Sequence, residues 1–173
     1  MSGLFYGLSL TLIQASKFAL VYAVLLILLF LSMIDISLFQ SGEIRQGFLL
    51  IGLYFWTVYR PHLLPYPVVF LIGILMDLMS GGLLGLHAFC FMVLSIIIRG
   101  QRRFLLGQSW QMVWAGFFVA VTITQSFQAL AYAITSPNLP SLWPLVTNIF
   151  LAALFYPVLH PVFMAYNRFL NEP

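Results

Sequence analysis

The stretch FLIGILMDLMSGGLLGLH, from Phe70 to His87, is almost wholly apolar and contains a single full charge, Asp77. A carboxylate at the centre of a membrane helix costs about 2.5–3.5 kcal/mol on insertion scales. No other Asp, Glu, Lys or Arg lies between Arg60 and Arg99. An acid retained in such surroundings therefore indicates a functional or structural site.

The composition of the whole chain agrees with that apolar stretch. Of the 173 residues, 62% are hydrophobic and only 6% are charged, whereas soluble domains carry about 25% charged residues. The chain is therefore predicted to be an all-α integral membrane protein with one polytopic domain over residues 1–173. Its basic residues are scattered between apolar runs, so the net charge of +3 indicates membrane topology and not nucleic-acid binding.

The membrane spans are predicted to be helices, because the backbone in lipid must satisfy its hydrogen bonds internally and the apolar runs lack two-residue alternation. Six transmembrane helices are predicted. Their expected bounds are Phe18–Leu38, Gln46–Tyr59, Tyr66–Ser80, Leu83–Ile98, Ser109–Thr135 and Trp143–Tyr166.

Basic residues predict the orientation of these spans, since cytoplasmic segments are enriched in Lys and Arg. With both termini cytoplasmic, only Arg45 falls in an outer segment. The inner segments hold Lys17, Arg60, Arg99, Arg102, Arg103 and Arg168. This distribution requires the third and fourth helices to form a hairpin.

The hairpin is expected to turn at Gly81-Gly82, because glycine tolerates positive φ. Gly73, Asp77, Gly81 and Gly85 are spaced four residues apart. Positions four apart share a helix face, so Gly73 and Asp77 lie on one stripe of the third helix. Gly73 should let a neighbouring backbone come close beside the acid.

A hairpin centred near residue 82 brings His87 level with Asp77. The carboxylate lies about one turn from the C-terminal end of its helix, where the helix dipole disfavours it. It should therefore require a donor: His87, amides at the start of the fourth helix, or Arg45. We expect an Asp77–His87 hydrogen bond that locks the hairpin. A proton relay or cation site is the competing interpretation, although a relay normally needs more ionisable groups.

The fifth helix carries a second polar group in its outer half. Thr122, Gln125 and Ser126 share a face, and Gln128 follows them. Such side chains are typical of interhelical hydrogen bonds, each worth about 0.6 kcal/mol. They could instead line an outward-facing pocket.

Patterns for catalysis and metal binding were not found. The sequence has no His-Glu-x-x-His, no Gly-x-Ser-x-Gly and no phosphate-binding loop. Its four acids leave little for general acid–base chemistry. We therefore predict no catalytic residue, no metal and no cofactor, and expect a protein that is not an enzyme.

The segment from Gly73 to Ala88 resembles the signature of the rod-shape-determining protein MreD family. That signature is an apolar helix with an acid, matched by Asp77, then a glycine four residues on, matched by Gly81, and a Leu-Gly pair ending at Gly85. The Tyr59-Arg60-Pro61 sequence and a basic loop over residues 99–104 also resemble the family. One departure is Leu83, where many members carry proline.

The resemblance implies a non-enzymatic scaffold of the bacterial elongation complex, in the inner membrane. Such a protein would pack against the membrane helix of MreC and, through it, connect MreB to peptidoglycan glycosyltransferase and transpeptidase enzymes. Its structural and partner-facing residues would be Gly73, Asp77, Gly81, Gly82, Gly85 and His87. The alternative is the substrate-binding component of an energy-coupling-factor vitamin transporter, which is also a six-helix protein of this size.

Overall fold

A computed structural model describes residues 19–32, 47–81, 83–135 and 142–171, and these form helices without any strand. We number the helices α1 to α6. Their bounds are Ala19–Leu31, Gly47–Tyr59, Tyr66–Ser80, Leu86–Leu106, Trp110–Thr135 and Leu142–Asn171, with a 3-10 turn at Pro61–Leu63. The predicted all-helical class is thus confirmed.

The helices differ in their capacity to cross a membrane. Two segments are long and apolar enough by length and composition, Trp110–Thr135 and Leu145–Phe169. Three described helices are shorter apolar segments: α1, α2 and α3. The 15 residues of α3 extend about 22 Å, less than a hydrocarbon core of about 30 Å.

Helix α2 lies at the centre of the bundle, with 11 of its 13 residues buried. A helix that is apolar on all sides is expected to be surrounded by other helices. Tyr54 of α2 meets the rings of Phe117 on α5 and Tyr156 on α6, at centroid distances of 5.3 and 5.9 Å. The Tyr54 hydroxyl also donates to the Val113 carbonyl of α5 at 2.9 Å, so one residue joins three helices.

The ends of α2, α4 and α6 meet at one end of the bundle. Arg102 of α4 donates to the Val58 carbonyl at 2.7 Å, and Arg60 donates to Asn167 Oδ1 of α6 at 2.6 Å. The start of α3 is there too, because Arg99 of α4 donates to the Leu64 carbonyl. We call this the basic end of the bundle. Its described arginines are Arg60, Arg99, Arg102, Arg103 and Arg168.

Three predicted helix boundaries were wrong: both ends of α4 and the end of α6. Helix α4 runs from Leu86 to Leu106 instead of Leu83 to Ile98, so residues 99–104 are helical and do not form a basic loop. Arginine is a good helix former, and the side chains of Arg99 and Arg102 donate to the carbonyls of Leu64 in the α2–α3 connection and of Val58 near the end of α2. Helix α6 also continues to Asn171, beyond the expected end at Tyr166.

Other boundaries agree where they can be compared. Helix α3 has the predicted bounds, and α5 begins at Trp110, one residue after the expected start. The predicted parts of the first helix before Ala19 and after Ser32 lie outside the described residues, as does Gln46 before α2.

Candidate functional site

The α3–α4 hairpin contains the predicted site, and it depends on a very close approach of the two helices. A Cβ atom added at Gly73 would lie 2.3 Å from the Ala88 Cα and 2.6 Å from its amide nitrogen. Any larger residue at position 73 would therefore force the backbones apart. The neighbouring backbone that was expected to come close at Gly73 is that of Ala88.

Asp77 is buried against the first turn of α4, with only 1% of its surface exposed. Its Oδ1 atom lies 2.6 Å from His87 Nδ1 and accepts the His87 amide at 3.0 Å. Its Oδ2 atom accepts the amides of Gly85 at 2.8 Å and Ala88 at 3.4 Å. Both carboxylate oxygens are thus engaged, and the predicted Asp77–His87 hydrogen bond is present.

The amides explain why an acid is stable in this buried position. The first N–H groups of a helix have no partner within it and carry the positive end of the helix dipole. Gly85 is the N-cap residue of α4 and has no side chain to cap those groups. Asp77 supplies the capping oxygens from α3, so the favourable dipole of α4 offsets the unfavourable one at the end of α3.

The ring of His87 is held in place by Asp77 and Phe91. Its Nδ1–H can donate to the carboxylate, and its ring contacts that of Phe91 at a centroid distance of 6.0 Å. The Nε2 atom is buried without a hydrogen-bond partner in the described part of the chain. A neutral ring with its proton on Nδ1 leaves Nε2 as an acceptor and avoids an unpaired buried N–H.

The reversal between the helices is wider than the predicted two-glycine turn. Gly81 ends α3 at φ +67°, and Gly85 precedes α4 at φ +91°. Both values lie in the left-handed region that glycine adopts at little cost. Gly82 lies outside the described residues, so its predicted part in the turn stays a prediction.

The four polar residues of α5 have different surroundings in the structure. Gln125 and Gln128 are buried, and Gln128 lies beside the Cys90 thiol of α4. The Thr122 hydroxyl instead donates to the Phe118 carbonyl of its own helix at 2.8 Å, and Ser126 is exposed. The interhelical interpretation was therefore wrong for the Thr122 hydroxyl, whose hydrogen bond is to a carbonyl one turn earlier in the same helix.

Sequence reasoning expected amides at the start of the fourth helix as donors but did not name Ala88. The Ala88 amide contacts the carboxylate, and the Ala88 backbone lies against Gly73. Its small side chain, which lets another backbone come close, was the available signal. The third donor that the sequence offered, Arg45, lies outside the described residues.

The described residues also show what the site lacks. Within residues 19–32, 47–81, 83–135 and 142–171, no three His, Cys, Asp or Glu side chains come together as metal ligands would. The site consists of a buried carboxylate that accepts hydrogen bonds from the first amides of α4 and contacts a histidine ring. That arrangement suits the fixing of a helix pair.

Comparison with known proteins gives one match. The family model described as rod shape-determining protein MreD matches residues 13–166. No curated protein and no solved structure matches the chain. The match covers most of the sequence, including the whole α3–α4 hairpin, and the chain belongs to the MreD family of rod shape-determining proteins.

Proposed function

We propose that this protein is a non-catalytic scaffold of the cell-elongation complex in the bacterial inner membrane. It binds the membrane helix of MreC, and through MreC it connects MreB with peptidoglycan glycosyltransferase and transpeptidase enzymes. Family membership, which indicates a role in rod shape determination, supports the proposal. The family description concerns cell shape and names no reaction.

The observation that carries the proposal is the Asp77 cap. The carboxylate uses both oxygens to hold α4 against α3. A carboxylate held by several donors in this way fixes the position of α4 against α3. The α3–α4 hairpin is, in this proposal, the rigid element that is presented to a partner helix.

The proposed topology has six membrane spans in one domain and both termini in the cytoplasm. Its support is the basic end, where the described arginines of the α2–α3 connection, α4 and α6 gather. Cytoplasmic ends of membrane helices are rich in arginine and lysine. The short, buried α2 fits this topology because α4, α5 and α6 pack around it.

The vitamin-transporter alternative requires a ligand cavity. A crevice between α2 and α6, lined by residues that include Gly47, Phe48 and Asn148, has a volume of about 10 Å³. That is about the space of one water molecule. This crevice is too small to hold a vitamin, and family membership favours the scaffold function.

Co-purification with MreC from detergent tests the proposal. We expect the wild-type protein to recover MreC, and Asp77→Asn to recover less, because loss of a charge-assisted contact worth about 1.5–3 kcal/mol loosens the hairpin that is presented to the partner. Gly100→Ala is a matched control on α4, since a Cβ there meets nothing within 4 Å.

Two outcomes would contradict the scaffold function. Failure of the wild type to recover MreC would remove the proposed partner. An Asp77→Asn variant that binds MreC normally while cells lose their rod shape would assign Asp77 a chemical role.

A further inference from the structure

Helix α6 contains two prolines in its interior, Pro157 and Pro161. Proline has no backbone N–H, so it cannot donate to the carbonyl four residues earlier in a helix. The carbonyl of Ala153 therefore loses its usual partner at residue 157, within α6. Ala153 is 5% exposed, and a buried carbonyl without a hydrogen bond is costly in apolar surroundings.

The missing donor for Ala153 comes from a different helix. The indole Nε1–H of Trp114 on α5 donates to the Ala153 carbonyl at 2.8 Å. Membrane helices tolerate an interior proline where a neighbouring helix satisfies the freed backbone group. Trp114 does this with its single polar atom, so the contact replaces the hydrogen bond that Pro157 removes.

The same two helices pack closely beside this contact. Phe117, one turn after Trp114, stacks on Tyr156 of α6 with 4.5 Å between the ring centroids and 19° between the ring planes. Tyr156 is buried and directly precedes Pro157. The hydrogen bond and the stacked rings thus hold α6 on α5 at the point where the hydrogen-bond ladder of α6 is interrupted.

Trp114 differs from these buried rings in having room to move. It is 38% exposed, and it lies about one turn after the first residue of α5. A tryptophan near the end of a membrane helix can direct its N–H to the membrane–water interface. The indole N–H therefore has an alternative acceptor, whereas Pro157 gives the Ala153 carbonyl no alternative donor.

We propose that Trp114 is a latch on α6. With the indole N–H on the Ala153 carbonyl, α6 is closed on α5 along residues 153–161. When the ring turns outward that segment opens, because the two prolines leave it short of backbone hydrogen bonds and local opening begins where a structure is least stable. This device lies in the α5–α6 pair and does not rest on the proposed scaffold function.

Hydrogen exchange of the full chain in neutral detergent, followed by mass spectrometry, tests the latch. Trp114→Phe keeps an aromatic ring and removes the N–H. We expect the amides of residues 153–161 to exchange about fivefold faster in this variant, the equivalent of about 1 kcal/mol for one hydrogen bond. Trp110→Phe is the matched control, because Trp110 lies one turn earlier on α5 and is 54% exposed, and it should leave the rate unchanged. An unchanged rate in Trp114→Phe, or an equal rise in Trp110→Phe, would overturn the proposal.

Pro157→Ala separates the latch from ordinary packing, because it returns an amide donor to residue 157. In that background the Ala153 carbonyl can bond within α6, so adding Trp114→Phe should leave the exchange of residues 153–161 unchanged. The same rise in both backgrounds would show that the indole ring matters and its N–H does not, which contradicts the latch. If Trp114→Phe alone does not fold, folding of the double variant is the rescue that the proposal predicts, and failure of both would count against it.

Discussion

At the scale of single residues, Asp77 shows how an acid is accommodated among apolar helices. Its insertion costs about 2.5–3.5 kcal/mol. It accepts three amides and the His87 ring, and a hydrogen bond to a charged group contributes about 1.5–3 kcal/mol. Two such contacts already offset the cost, so Asp77 stabilises the folded hairpin.

The sequence predicted these donors only in outline. A lone carboxylate near a glycine turn required a partner, and His87 and the first amides of α4 were both identifiable from spacing. Which amides are used depends on the Gly85 φ of +91°, which starts α4 three residues later than predicted. That conformation results from the packing of the two helices, and spacing alone does not specify it.

His62 gives a prediction about pH. Its pKa is lowered by burial and by Arg60 and Arg102, below the ordinary value of about 6.5. The unfolded chain therefore binds more protons just below pH 6.5, and stability rises with pH in that interval. We expect the unfolding midpoint of the wild type to fall between pH 7 and pH 5 by more than that of His62→Gln. Equal falls would show that folding does not lower the pKa of His62.

At the scale of helices, the α3–α4 pair depends on Gly73. We expect Gly73→Ala to destabilise the protein by about 1–3 kcal/mol, because its Cβ would overlap the Ala88 backbone. Gly100→Ala is the control, since the same change in an open position of α4 should be neutral or stabilise by up to about 1 kcal/mol. Reversible unfolding in mixed micelles measures both. A Gly73→Ala variant as stable as Gly100→Ala would contradict the close crossing.

Helix bounds were predictable where local signals fix them. Helix α3 follows Pro65 and ends at Gly81 in a left-handed conformation, and both residues are recognisable helix boundaries. Helix α4 extends past the predicted end, and Arg99 and Arg102 on that extension donate to carbonyls of Leu64 and Val58. A cluster of arginines looks like a loop in sequence, although arginine is a good helix former, and its carbonyl partners lie too far along the chain for spacing to show them.

At the scale of the whole molecule, the proposed topology predicts opposite labelling of the two ends of α4. Leu84 lies in the α3–α4 turn and Gln108 in the α4–α5 turn, and both are exposed. In a Cys90→Ser background, an impermeant thiol reagent should label Leu84→Cys from the periplasmic side. It should label Gln108→Cys only after the membrane is opened. Labelling of both cysteines from one side would contradict the topology.

The central α2 also belongs to this scale. Its burial was not predicted, because its sequence looks like any other apolar span, and only the positions of α4, α5 and α6 around it show that it faces protein. By contrast, the apolar class of the whole chain was evident from composition, since 6% charge leaves no polar surface for a soluble domain.

The most direct test of the account is a double-mutant cycle on the free energy of unfolding, with Asp77→Asn and His87→Phe. Phenylalanine retains an aromatic ring beside Phe91 and removes the Nδ1 donor, which lies 2.6 Å from Asp77 in the wild type. The account predicts a coupling of at least about 1 kcal/mol between the two positions. Additive effects within about 0.5 kcal/mol would contradict a hairpin locked by this pair.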